Sequence, residues 1–275
     1  MRSTTAVVIL ALLAGCSSKN EEKHPGGHQQ KTGDPHADHD MSKMGGMAGM
    51  LMVKTDPAEV KAGQPTRLSL MIHDAGGAML KDFEVVHEKK VHLIIVRDGL
   101  DQFAHIHPDS IEADGSITAS FTFPTGGKYR LYADYKPMGK DQATAIAEVK
   151  VSGDSPAAPE LVPNAPGKVT GGGMGAKVAF EKAKAGAETK ITFSLLDATD
   201  NPVTDLQPYL GAMGHLVIIS ADGKIYVHAH AVEGKSANGV VEFEAHFTKP
   251  GTYKAWGQFQ RAGQVNTVPF VLKVD

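Results

Sequence analysis

The sequence has very little sulfhydryl and no long hydrophobic run. Its single cysteine, Cys16, cannot close a disulfide within the chain. A blue-copper or dinuclear copper electron-transfer centre needs a cysteine thiolate, and Cys16, read below as the site of lipidation, is not free to supply one. The longest apolar stretch, AVVILALLAG after Arg2, is too short for an ordinary spanning helix. Charge is nearly balanced, at a formal −3, and no basic stripe is present, so nothing favours nucleic acid as a partner. Beyond residue 53 no stretch keeps a 3.6-residue apolar period, which argues against helices. G-x-S-x-G, H-E-x-x-H and Walker patterns are absent. Gly171-Gly172-Gly173-Met174-Gly175 is glycine-rich but lacks phosphate-binding spacing. No carboxylate beside the candidate sites described below is an obvious general base, so the expectation is a protein that is not an enzyme.

What is present begins at the N-terminus. Arg2, the apolar run and Leu13-Ala14-Gly15-Cys16 are similar to the signal and lipobox of bacterial lipoproteins. That resemblance implies removal of residues 1–15 and a lipidated Cys16 as membrane anchor, outside the cytoplasm. A mature chain beginning at Cys16 also excludes a histidine-brace site, which needs an N-terminal histidine. Ser17 and Ser18 in place of aspartate point, by the same resemblance, to the periplasmic face of an outer membrane if the cell is Gram-negative. Residues 16–52 read as a tail. After Cys16 they hold no aromatic residue and one branched apolar residue, Leu51, and so cannot bury enough surface to offset ordering entropy. The tail carries His24, His28, His36 and His39, then Met41, Met44, Met47 and Met50 at every third position. Thioether sulfur favours Cu(I) and imidazole also takes Cu(II), so the tail is a candidate copper collector. The bland alternative is a spacer.

From Val53 the texture becomes short β-rich runs separated by turn signals: RLSLMI, VHLIIV, SITASFTF, KYRLYADY. This predicts an all-β protein built of sandwiches. Residues 152–175 hold four prolines and six glycines and read as a linker, after which the strand texture returns. The second half repeats the first. Lys61-Ala62-Gly63 matches Lys184-Ala185-Gly186, an offset of 123 residues that also carries His92, His105 and His107 onto His215, His228 and His230. After one insertion Tyr129, Tyr132 and Asp134 fall on Tyr253, Trp256 and Gln258. The domains expected are therefore 53–151 and 176–275.

The repeated histidines are the candidate site. Asp222-Gly223 between apolar runs predicts a type I′ hairpin that pairs His215 with His230 and Val217 with His228. The same arithmetic centred on Gly99-Leu100 pairs His92 with His107 and Ile94 with His105. Alternation of side chains then places three imidazoles on one face of each hairpin. Three neutral imidazoles suit Cu(II), zinc or nickel, of which copper is the first candidate and zinc the lesser one. Nitrogens sharing one ion at 2.0–2.1 Å bonds lie within about 4 Å of each other. Asp134 and Gln258 are candidates to orient an imidazole from behind, and their difference predicts two inequivalent sites. A polar structural cluster, inherited by duplication, is the competing reading. His73, His87 and His246 have no counterpart in the other repeat and read as surface residues.

The patterns VHLIIVRDGLDQFAHIHP with FTFPTGGKYRLYADY, and GHLVIISADGKIYVHAH with FTKPGTYKAWGQF, resemble exported bacterial YtkA-like/FixH-related β-sandwich domains. The tail resembles the Met/His-rich segments of periplasmic copper-resistance proteins. The resemblance implies two tandem immunoglobulin-like (cupredoxin- or CopC-like) sandwiches in the cell envelope. It also implies copper capture, buffering or delivery, with an envelope copper-handling protein as partner. Ala231 stands where the first copy has Pro108 after His-x-His, a departure in the second site. A scaffold or protein-binding module with structural histidines is the alternative function.

Overall fold

The computed structural model describes residues 49–275 and the backbone of residues 39–40. These belong to one compact unit, Asp34–Asp275. Among the described residues all regular structure is β, and no helix is long and apolar enough to cross a membrane.

The first domain is a sandwich of two sheets. One contains Met50–Asp56, Pro65–His73, Ile117–Thr122 and Ser110–Ile111 in spatial order. The other runs Val60–Lys61, Ala143–Ser152, Gly127–Pro137, Val91–Arg97, Phe103–Ile106. Between them lies a core of Leu68, Leu70, Ile72, Leu93, Ile95, Ile117, Leu131 and neighbours. The second domain repeats this plan, with Glu188–Leu196 central in one sheet and Gly251–Arg261 central in the other. A tyrosine four residues after a loop carbonyl pins the same corner in both domains. Tyr129 donates to Thr125 O at 3.0 Å and Tyr253 to Lys249 O at 2.8 Å.

The two cores reach similar ends with different residues. The second is phenylalanine-rich, with Phe193, Phe243, Phe259 and Phe270. Gly214 and Gly257 make room for those rings where the first copy has Val91 and Ala133. A Cβ at Gly257 would lie 2.8 Å from Phe193 ring carbons.

Several expected boundaries move. Met50–Asp56 is a strand, so the first domain takes in Met50, Leu51 and Met52, which the composition had assigned to the tail. Leu51 is buried and adds to that core, which supplies the reason. Gly167–Gly171 and Met174–Phe180 are paired strands, so the stretch read as a linker ends before Gly167. Its Asn164 is tied to Val271 by two hydrogen bonds. The backbone of His39 and Asp40 forms a two-residue strand beside Tyr226 and Ile225, inside the expected tail. The rest of the expected tail before Gly49 lies outside the described residues.

The strand Val91–Arg97 is buried at every position, as are His215–Ser220 and Ile225–His230. Alternate side chains explain this. Leu93 and Ile95 enter the first domain's own core, while Ile94 and Val96 enter a third core shared with the second domain. That shared core joins Ile94, Val96, Leu100 and Tyr132 to Val217, Ile219, Tyr226 and Trp256. The hairpin faces of the two domains therefore pack on each other, and strands covered on both sides lose the polar alternation of an exposed sheet. The contacts are reciprocal. Tyr132 stacks on Tyr226, and their repeat equivalents Trp256 and Phe103 stack at 4.6 Å between centroids. Such i-to-j′ and j-to-i′ pairing is the pattern of an isologous interface, here within one chain.

Candidate metal centre

The hairpin registers follow the turn arithmetic. His215 pairs with His230 and Val217 with His228. Ile94 pairs with His105. The turn chemistry differs from the expectation at Asp222-Gly223. Gly223 has φ 69° but Asp222 does not have positive φ, so this is not a type I′ turn. Gly223 N–H instead closes a turn onto Ser220 O, with glycine in the left-handed position after it. The Arg130 guanidinium lies against this glycine and would have to shift to admit a Cβ.

Each hairpin brings its three histidines together. His92, His105 and His107 offer ligand nitrogens within 4.8 Å of one another, and so do His215, His228 and His230. In the first triad His92 Nδ1 lies 3.1 Å from His105 Nε2 and 3.3 Å from His107 Nε2. The other ring nitrogens are held from behind. His92 Nε2–H donates to Val86 O at 3.0 Å, and His105 Nδ1–H to Gln258 Oε1 at 2.7 Å. The second triad repeats the scheme. His215 Nε2–H donates to Tyr209 O at 2.8 Å, and His228 Nδ1 meets Asp134 Oδ2 at 2.9 Å. Val86 and Tyr209 are repeat equivalents, as are Asp134 and Gln258.

This last pair crosses over. From the sequence Asp134 belonged with its own domain's histidines. It is cross-strand from His92, yet its carboxylate reaches His228 of the second domain. Gln258, cross-strand from His215, reaches His105 of the first. Each triad is therefore oriented by the other domain, and the two lie in a single cluster, with His92 and His105 rings each 5.3 Å from His228. Expecting two separate single-domain sites missed this, because strand periodicity says which face a residue occupies and not what covers that face.

The electrostatics follow from burial. Desolvation pulls His92 down to about 4, helped by His228, and His107 down to about 4, helped by His92. It draws His105 well below the ordinary value and His215 down to about 2. These imidazoles are neutral at pH 7, the form that ligates metal. Burial pushes the Asp134 carboxyl up, but hydrogen bonds from His228 and Gln142 outweigh it and hold the group below the usual range. With His92 and His105 neutral, their backing bonds fix both tautomers. His92 Nδ1 and His105 Nε2 then face each other with lone pairs and no proton between them. In the second triad His215 Nδ1 and His228 Nε2 are buried without a hydrogen-bond partner.

His87 corrects another expectation. It is half-buried, stacks on His230 at 3.4 Å between centroids and meets His215 edge-on. It stands in a turn with φ 48°, where the second domain has Leu210 at φ 51°. Lacking a repeat counterpart, it carried no signal in the duplication. His73 and His246 are half-buried on sheets away from the cluster, and His73 Nδ1 is buried without a partner. Met50 is exposed, cross-strand from His73. His24, His28, His36, Met41, Met44, Met47 and Cys16 lie outside the described residues, and so does the side chain of His39.

Comparison with known proteins gives one family match. The family described as Domain of unknown function (DUF8832) matches residues 47–153 and again 168–275. No curated protein matches the chain. Among solved structures, the Escherichia coli adhesin FdeC is 19% identical, with 84% of this chain and 66% of that chain covered and a TM-score of 0.28. Fibronectin(III)-like modules of Clostridium thermocellum CbhA are 15% identical, covering 81% and 93%, with a TM-score of 0.22. Yersinia pseudotuberculosis InvD is 13% identical, covering 82% and 57%, at 0.25. The chain spans 66% of the FdeC chain and 50% of a tandem-repeat chain from a large adhesion protein. At these identities and scores the likeness extends no further than the β-sandwich arrangement.

Proposed function

The chain belongs to the DUF8832 family in two tandem copies, and we propose that the docked pair is a metal-binding module of the cell envelope. Each triad holds one transition-metal ion, copper first and zinc second, for capture, buffering or delivery without catalysis. One observation carries this reading: the backing bonds of His92 and His105 leave two lone pairs pointed at each other 3.1 Å apart. Two unprotonated nitrogens repel at that distance, and an ion between them removes the repulsion. The spacing suits bonds of 2.0–2.1 Å to one ion. The lipid anchor at Cys16, the collecting tail and the YtkA-like/FixH-related and copper-resistance resemblances belong to this proposal. In this reading the protein sits at a membrane surface and hands metal to an envelope copper-handling protein.

A second reading has its own support. The imidazoles pack ring against ring between the domains, and His87 stacks on His230. In that reading the histidines are polar cement of a rigid two-domain scaffold or protein-binding module. Titration of the full chain with Cu(I), Cu(II) and Zn(II) separates the two. It is repeated with His24, His28, His36 and His39 replaced by alanine, and with His105→Ala and His228→Ala. The metal reading expects two ions that survive the tail replacements and are lost one by one with the triad variants. Stoichiometry indifferent to His105 and His228 overturns it.

A further inference from the structure

Resting on that metal reading, we infer that the two triads are specialised by ion charge, the second for a divalent ion and the first for monovalent copper. Two independent features point the same way. The first lies behind the rings. At one repeat-equivalent position the second triad receives a carboxylate and the first a neutral amide. Asp134 is 1% exposed and its Oδ2 lies 2.9 Å from His228 Nδ1. Tyr226 O–H at 3.3 Å and Gln142 Nε2 at 2.8 Å donate to the same carboxylate. Gln258, 5% exposed, offers only Oε1 to His105. The remaining backing contacts, to the Val86 and Tyr209 carbonyls, are alike. A carboxylate on the far nitrogen raises the donor strength of an imidazole and supplies one negative charge in a desolvated site, where charge is weakly screened. Three imidazoles plus a carboxylate leave a divalent ion with a net charge of one. Three imidazoles alone leave a monovalent ion with the same net charge, so each triad in its preferred state has an equal charge to bury.

The second feature lies at the mouths. The second triad opens at His230 into a cavity of about 440 Å³ whose lining includes His87, Met213, Glu233 and Glu244, and no lysine or arginine. The first opens at His107 into one of about 330 Å³, where Glu88 and Asp109 are balanced by Lys89 and Lys90. The cation with more charge gains more from the acidic mouth, and the lysine pair removes that gain at the other.

The test is anaerobic titration of the full chain with Zn(II) and separately with Cu(I), each against a chromophoric competitor, with histidine ring resonances reporting which triad fills. Zn(II) is expected to fill the second triad first. Asp134→Asn should weaken Zn(II) there by about 10- to 100-fold, the usual effect of losing such a backing group, with a clearly smaller effect on Cu(I) at the first triad, where Asp134 is only a cross-strand neighbour of His92. Gln258→Glu should strengthen Zn(II) at the first triad, and it tests the same rule should Asp134→Asn fail to fold. Zn(II) filling the first triad first, or Asp134→Asn weakening both ions equally, or no gain from Gln258→Glu, overturns the specialisation while leaving metal binding intact. Absence of either ion from both triads removes the metal reading itself, and this inference with it.

Discussion

Acid should destabilise the metal-free protein steeply between pH 6.5 and pH 4. An unfolded histidine gains its proton near pH 6.5, whereas His92 holds off to about 4 and His215 to about 2. In that window the unfolded chain binds more protons than the folded one, so stability falls as pH falls. Each such group contributes a slope of about 1.4 kcal/mol per pH unit once its unfolded form is fully protonated. Integrated from pH 7 to pH 5 this is about 2 kcal/mol each, or about 4 kcal/mol for the two. His92 and His215 are 3% and 0% exposed, so solvent does little to screen the effect, whereas the more exposed His107 contributes less. Against a usual stability of about 5–15 kcal/mol the loss is large. The assay is urea unfolding of chelator-treated protein at pH 7, 6 and 5. Trp256, the sole tryptophan, reports on it from the interface between the domains. His215→Gln should lower stability at pH 7 yet remove its own share of the pH dependence, about 2 kcal/mol between pH 7 and pH 5, leaving the shares of His92, His105 and His107 in place. A midpoint that stays level or rises from pH 7 to pH 5 would refute the claim that these rings are buried neutral.

Three further outcomes are expected. Gly257→Ala should cost about 1–3 kcal/mol by overpacking, because its Cβ lands 2.8 Å from Phe193 and 2.9 Å from Phe259, and equilibrium unfolding measures it. Tyr129→Phe and Tyr253→Phe should each cost about 1 kcal/mol through the lost corner hydrogen bond; a neutral result would mean the corner is held by ring packing alone. Zn(II) at a hundred times its dissociation constant should add about 2.7 kcal/mol per occupied site, read as a higher urea midpoint, and the gain should vanish in a His105→Ala, His228→Ala double variant.

Much of the architecture is written locally. Val217 opposite His228 and Ile94 opposite His105 follow from where the turn glycines stand, because register is fixed by the turn and faces by alternation. The tandem repeat is visible because its spacing survives nearly without gaps. What escaped is whatever depends on the domains meeting. VHLIIV carried a signal, since an unbroken apolar run marks a strand covered on both faces, but it does not name the cover. Asp134 and Gln258 were legible as equivalent positions and not as partners of the opposite hairpin. His87 was invisible to the repeat, because its role arises where a turn of one domain meets the second domain's triad. The start at Met50 was hidden by tail-like composition, with Leu51 as its one buried apolar residue.

The reciprocal pattern bears on why two copies stand in one chain. An isolated first domain would expose Ile94, Val96, Leu100 and Tyr132 together with three imidazoles, an apolar face with a polar patch that water does not cover well. It would also lack the group that fixes the tautomer of His105, since Gln258 comes from the other copy. The second domain alone would lose the carboxylate on His228 and the ring over His230. Docking therefore completes both triads in the same step that buries the shared core. Any ion that prefers the completed triad must also favour the docked pair, by linkage. The consequence is crossed coupling. Substituting Gln258 should disturb the first domain's triad at long sequence range while leaving His215, its cross-strand neighbour, with its own backing bond to Tyr209. A protein whose two domains acted independently would show the opposite, with each substitution felt only within its own repeat.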